Sequence, residues 1–288
     1  MCGILGFHSQ ADEQIRRQLL EGFCEGLEET MSRGKDATGI AFFDEDAIQF
    51  CKAPLPADQF LKQSKVQTFM RKHIPSVMIG HCRQGTVGTE LDNHNNHPIL
   101  YSVDGITTTA LIHNGSITNH NAFQKLQANR EGTVDSEVII LLIRDALTGQ
   151  EVTIPHVLEA IKTMTIDTYG SQACALILKE LPHTLFLWRR SSPLVLGYFK
   201  EWNTIIFAST NKILHTMVEQ HMEIIEGIPV IPSGFGSTEL EEGEMMAITI
   251  NKNDMNIVRE KMTAFGGIVK DFRSSREKNT QLGFGYDY

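Results

Sequence analysis

A cysteine stands second in the chain, in the run Met1-Cys2-Gly3-Ile4-Leu5-Gly6-Phe7. Removal of the initiator methionine would leave it first, with a thiol and a free α-amine on one Cα. Thiols are the most nucleophilic of the common catalytic side chains and work with a nearby base. An α-amine, with a pKa of about 7.7–8.0, is partly unprotonated near neutral pH and can be that base. The plainer alternative is that Cys2 simply opens a buried strand. A retained methionine would turn the amine into an amide without basicity and crowd the thiol.

Four further stretches could carry chemistry, though each has an ordinary structural reading. In Gly80-His81-Cys82-Arg83-Gln84-Gly85-Thr86-Val87-Gly88, Arg83 falls where a strand gives way to a glycine-bearing loop, a place from which functional groups project. Asn114-Gly115, within His113-Asn114-Gly115-Ser116-Ile117-Thr118-Asn119, reads as a turn. Its functional alternative is two N–H donors aimed at one oxygen, an oxyanion hole. Thr133-Val134-Asp135-Ser136-Glu137-Val138-Ile139 fits a helix start, with acidic residues at the positive end of the dipole. Ser32-Arg33-Gly34-Lys35-Asp36-Ala37-Thr38-Gly39 fits a helix C-terminus and turn.

Taken together and in this order, these residues resemble the class II glutamine amidotransferases. That family lies among the N-terminal-nucleophile (Ntn) hydrolases and includes the amidotransferase domains of hexosamine-phosphate, phosphoribosylamine, asparagine and glutamate synthases. The likeness runs from Cys2 to about Ser209, with a weaker echo at Glu241 to Ile250. It implies an α+β fold, a four-layer α-β-β-α sandwich of two antiparallel sheets, and glutamine as substrate. Cys2 then matches the nucleophile, and Asn114 with the Gly115 N–H matches the oxyanion hole. Arg83 matches the arginine that holds the α-carboxylate, and Asp135 the acid that receives the α-ammonium. Thr86 and His97 fall in pocket-lining stretches, and Arg33 corresponds to an arginine near the nucleophile. Such a clamp suits a zwitterion: a planar guanidinium can give a carboxylate two parallel bonds. The resemblance implies no cofactor and no metal. It implies a synthase or ATP-using ligase partner in trans and leaves a homo-oligomer open.

The sequence departs from the hexosamine-type pattern at Gln84 and Val87, where those relatives carry an aromatic residue and a histidine. A sugar-phosphate synthase partner is therefore not expected. Three other readings compete. One keeps the fold and makes the chain a free-standing γ-glutamyl amide or peptide hydrolase. Another is a metal-dependent hydrolase using His81, Cys82, His94 and His97, whose imidazole and thiolate groups suit zinc, although His94 and His97 lie in an Asn-rich loop and no HExxH-type spacing places ligands on one helical face. The last is a non-catalytic subunit on the same fold.

The elements that must position these groups follow from periodicity. Strands are expected at Ile4 to His8, Ala37 to Phe43, Ala47 to Cys51, Ser76 to Arg83 and Thr107 to His113. Ile15, Leu19, Phe23, Leu27 and Met31 recur every four residues, the apolar stripe of a helix over Ala11 to Met31. Further helices are expected around Phe60 to Phe69, at Asn121 to Gln127, Ser136 to Leu147 and Val157 to Met164. Gly85 to Pro98 reads as loop, and Asp44-Glu45-Asp46 as an acidic turn. Strand-like runs at Ala173 to Leu178, Thr184 to Trp188, Leu194 to Tyr198 and Thr204 to Ser209 suggest an antiparallel meander, followed by a strand at Met245 to Ile250. The apolar residues in the 200s serve either the core or a docking face. The expected organisation is one domain over 1–250 and a C-terminal extension or tail over 251–288.

The whole chain of 288 residues carries a net charge of −9 and is 41% hydrophobic, ordinary for a soluble globular protein. Nothing in it argues for nucleic acid. No apolar run is long enough to span a membrane and no signal peptide opens the chain, so a cytoplasmic location is expected. Five unpaired-looking cysteines agree with a reducing compartment.

Overall fold

Strand β1 (Gly3–Ser9) is the middle strand of seven, and its alternation sets the layers of the molecule. The computed structural model of the chain describes residues 1–44, 47–219, 223–225, 228–230, 234–251 and 254–262. Leu5 and Phe7 point to one side of β1, into a cluster with Leu19, Phe23 and Leu27 of helix α1 (Glu13–Thr30). Ile4 points to the other side, into a cluster with Ala110, Ile112, Ala173 and Ala175 of a second sheet. Successive side chains of a strand face opposite ways, so a strand that is apolar on both faces must lie between two layers.

The first sheet runs β13 (Phe235–Glu239), β9 (Val195–Phe199), β10 (Thr204–Ala208), β1, β4 (Val77–Arg83), β2 (Ala37–Asp44), β3 (Ala47–Ala53), antiparallel throughout. The second runs β15 (Asp254–Lys261), β14 (Glu244–Asn251), β8 (Thr184–Arg190), β7 (Gly170–Leu178), β6 (Ile106–Ile117), β5 (Ile99–Val103), also antiparallel. A separate hairpin pairs β11 (Glu223–Ile225) with β12 (Ile228–Val230). Helix α1, capped by the Asp12 carboxylate on the Ile15 N–H, packs outside the first sheet with α6 (Asn211–Val218), α2 (Ala57–Phe60) and α3 (Ser64–Lys72). Helices α4 (Glu137–Leu147) and α5 (Ile154–Asp167) cover the second sheet, burying Ile139, Ile143, Leu158 and Ile161 against Leu176, Phe186 and Trp188. The result is the expected four-layer α-β-β-α sandwich. Among the described residues no helix is long and apolar enough to cross a membrane.

Several expectations need correction. The strands expected as one meander divide between sheets: β7 pairs with β8 and β9 with β10, but β8 and β9 lie in different sheets. The chain changes layer through Ser191, which has φ +62°, and Pro193, which has no N–H to give a ladder. Asn114-Gly115 is no turn, because β6 continues through it to Ile117 in register with β7. The helix expected at Asn121 to Gln127 is two short 3₁₀ turns, over residues 120–122 and 124–129. Ile205, Ile206, Phe207, Ile213 and Leu214 are buried and form core, not a docking face. The first part of the expected extension, residues 254–261, is the edge strand β15. The tail over 263–288 and residues 45–46 of the acidic turn lie outside the described residues.

Candidate active site

Register places four of the predicted residues at one end of the space between the sheets. Gly3 lies opposite Cys82 across β1 and β4, which brings Cys2 beside Arg83. Cys2 is two residues before Ile4, and Asn114 two after Ile112, whose side chains both face the opposite sheet; strand periodicity gives Cys2 and Asn114 that same face. The Cys2 Sγ lies 3.4 Å from the Gln84 N, which donates to it, and 3.5 Å from the Gln84 carbonyl oxygen. Burial pushes the thiol above its ordinary range. The Gln84 main chain, the N-terminal ammonium and Arg83 pull it down, while the Asp135 carboxylate pushes it up. A cation and an anion therefore both act on the thiol. Met1 is 82% exposed.

Asn114 is held by Ser209: its Nδ2 donates to the Ser209 Oγ at 3.4 Å, and that oxygen also accepts from the Ile4 N–H at 2.9 Å. One hydroxyl thus ties the amide to strand β1, next to Cys2. Gly115 has φ +155°, and a Cβ there would collide with the Ser171 carbonyl oxygen. Only glycine fits.

Arg83 is 2% exposed. Its Nη2 donates to the carbonyls of Val87 and Gly88, each at 2.7 Å, and its Nη1 to the Asn96 Oδ1 at 3.2 Å. The two-bond grip expected on a carboxylate is thus partly taken up by the loop that follows the arginine. Asp135 is 4% exposed, and its Oδ2 accepts the Ile117 N–H at 2.6 Å. The next residue, Ser136, meets the His113 Nδ1 at 2.8 Å, which anchors the start of α4 to β6.

The three remaining predicted residues are placed differently. Arg33 donates from Nε to the Cys2 carbonyl at 2.8 Å, so it holds the main chain of Cys2. Thr86 is exposed on the loop after Arg83. His97 is buried with its ring stacked on His81, centroids 4.0 Å apart, and neither ring nitrogen has a hydrogen-bond partner. Burial lowers His81 to about 3 and His97 far below the usual imidazole range, so both are neutral.

The four residues named for a metal do not converge on one point. His81 donates from Nε2 to the His113 carbonyl between the sheets, whereas the Cys82 thiol turns to the Leu27 carbonyl of α1. His94 is exposed and paired with Asp92 at 2.9 Å. Among the described residues no group of three His, Cys, Asp or Glu side chains is placed to hold a metal.

Sequence reasoning missed the frame around these groups. The Asp36 carboxylate takes the Gly85 N–H at 2.6 Å and the Gln84 side-chain amide at 3.0 Å. Ser209, Lys52, Asn95 and Asn96 were also missed. The only signal for the last two was the density of asparagine in the stretch read as loop.

A family model described as class II glutamine amidotransferases matches residues 1–174. Similar curated proteins include the glutamine–fructose-6-phosphate aminotransferases (isomerizing) of Chlamydia muridarum, 32% identical over 207 residues, 70% of this chain and 31% of that protein. That of Shouchella clausii is 29% identical over 234 residues, 78% of this chain and 35% of that protein. The chain spans about a third of the length of these relatives. Among solved structures, the B. subtilis glutamine phosphoribosylpyrophosphate amidotransferase complexed with ADP and GMP superposes with a TM-score of 0.62 at 19% identity, covering 91% of this chain and 49% of that one. A glutamine aminotransferase class-II domain protein from Silicibacter pomeroyi gives 0.51 at 15% identity, covering 91% of this chain and all of that one. At these identities the structures speak to the fold alone.

Proposed function

We propose that this chain, which belongs to the class II glutamine amidotransferases, hydrolyses the side-chain amide of glutamine and hands on the ammonia. The observation that carries the reading is the register of β1 and β4, which sets Cys2 beside the almost wholly buried Arg83, with the equally buried Asp135 bonded to the end of β6 that follows Asn114. A buried cation and a buried anion beside a nucleophile match the two charges of a free α-amino acid. Leaving one such charge unpaired costs about 2–5 kcal/mol, so the pair selects for a ligand that supplies both partners.

In this reading, removal of Met1 frees the Cys2 α-amine. The amine takes the thiol proton, directly or through water, and the sulfur attacks the amide carbon. The carbonyl π electrons move to oxygen, and the oxyanion is held by the Asn114 Nδ2 and the Gly115 N–H. Because burial raises the thiol, a base on the same residue matters more here than at an exposed cysteine. The C–N bond then breaks, and the protonated amine returns its proton to the departing nitrogen as ammonia. Water, deprotonated by the same amine, cleaves the glutamyl thioester to glutamate and restores the thiol. Arg83 and Asp135 hold the α-carboxylate and α-ammonium throughout, and Arg33 keeps the Cys2 main chain in line.

The ammonia goes to a synthase or ATP-using ligase acting in trans. A reducing cytoplasm is the setting that fits five free cysteines, the nucleophile among them. Cys2→Ala, compared with the wild type for ammonia release from glutamine, tests the proposal. Activity should vanish while the fold persists, and release by the variant at the wild-type rate would refute it.

A further inference from the structure

Lys52, on the edge strand β3, lies outside every motif that pointed to glutamine chemistry, yet it is tied to the loop that serves Arg83. Its Nζ donates to the Asn96 carbonyl at 2.8 Å and to the Pro98 carbonyl at 3.0 Å, gripping the main chain on both sides of His97. The Asn93 side-chain amide donates back to the Lys52 carbonyl at 3.0 Å. Across from it, Gly39 leaves room for the same segment: a Cβ there would collide with the His97 carbonyl oxygen.

Asn96, held in this way, and its neighbour Asn95 face opposite halves of the charged clamp. The Asn96 Oδ1 accepts from Arg83, while its Nδ2 donates to the Glu90 carbonyl at 2.7 Å and to the Asn93 Oδ1 at 3.0 Å. The Asn95 Oδ1 accepts the Thr133 N–H at 2.7 Å and the Val134 N–H at 3.0 Å, immediately before Asp135. Its Nδ2 is anchored on the Thr89 carbonyl at 3.0 Å. Both asparagines are buried, at 1% and 0% exposure, so their bonds are made away from competing water.

We propose that Lys52 is a positioning residue for the amino-acid end of the substrate: by gripping the chain around His97 it fixes Asn95 and Asn96, and through them the separation of Asp135 and Arg83. That separation, more than either charge alone, distinguishes an α-amino acid from a molecule with only one of its two charges. Lys52 touches neither substrate nor reacting atoms. A buried ammonium is costly unless fully bonded, and here burial lowers its pKa to about 8. Its two carbonyl partners account for its retention.

The inference rests on the glutaminase reading, and the test keeps the two apart. Lys52→Met and Lys52→Arg are assayed, after confirmed loss of Met1, on glutamine and on glutaramate, which keeps the carboxylate and the side-chain amide but lacks the α-amine. Lys52→Met should raise KM for glutamine about tenfold, the weight of one charged hydrogen bond, with kcat nearly unchanged. Its preference for glutamine over glutaramate should fall in step, and Lys52→Arg should restore part of both. Unchanged KM and preference, or a fall in kcat alone, would overturn the role assigned to Lys52. A wild type that releases no ammonia would overturn the glutaminase reading instead. Amide exchange over residues 85–98, compared at one pH, reads the brace without substrate. It should be faster in Lys52→Met, and equal protection would overturn the brace whatever the activity. Should Lys52→Met not accumulate as folded protein, Asn95→Ser cuts the bridge to Thr133 and Val134; it too should raise KM, and an unchanged KM would defeat the proposal.

Discussion

Replacing Asp135 with asparagine removes one charge from the site and almost nothing else. The new amide keeps the size of the carboxylate, and its oxygen can still accept the Ile117 N–H now taken at 2.6 Å, so the fold should hold. The loss is confined to the substrate α-ammonium, which would enter a site 4% exposed without its partner. At about 2–5 kcal/mol for such a charge, kcat/KM for glutamine should fall by roughly 30-fold to several thousand-fold. The ammonium is bound in ground and transition states alike, so most of that loss belongs in KM. The thiol should move the other way. Asp135 pushes the Cys2 pKa up, so its removal lowers that pKa and leaves alkylation by iodoacetamide, which has no amino-acid end, as fast as before or faster. Ammonia release and alkylation rate, measured on the same preparation, separate the two effects. A kcat/KM within threefold of wild type, or alkylation that collapses together with glutamine turnover, would refute the assignment of Asp135.

Asn114→Ala removes one oxyanion donor and should lower kcat by about 10²–10³ with KM little changed, as steady-state ammonia release would show. It also frees the Ser209 hydroxyl, so Ser209→Ala should give a smaller fall in kcat in the same assay. Lys52 predicts a pH effect on stability. Burial, opposed by Glu131, Asp92 and Glu137, lowers its folded pKa from 10.5 to about 8, so between those values the unfolded chain binds more protons. Stability should therefore rise across that window, by about 3 kcal/mol for this group. Denaturant unfolding of wild type and Lys52→Met at pH 7.5 and 10.5 should show that increment only in the wild type.

The family and the fold were legible in the sequence where their signals are local. Cys2 announces itself by its position, and the four-residue apolar spacing of α1 showed which face of that helix meets the sheet. Asn114-Gly115 misled as a turn, because pairing with β7 overrides the local preference of Asn-Gly. The supporting residues were hidden for a different reason. Lys52 lies 44 residues from Asn96, Asn95 38 from Thr133, and Asn114 95 from Ser209. Each is an unremarkable polar residue until the fold brings its partner near. The switch of sheets between β8 and β9 was illegible for the same cause, since strand spacing carries no record of which neighbour a strand will choose.

Intact-mass analysis of the purified protein, quenched in acid during turnover of glutamine, tests the central claim most directly. The chain should begin at Cys2 and carry one glutamyl group as a thioester on that residue, released by hydroxylamine and absent from Cys2→Ala. Ammonia release by a chain that still bears Met1, or a glutamyl group on any other residue, would contradict it.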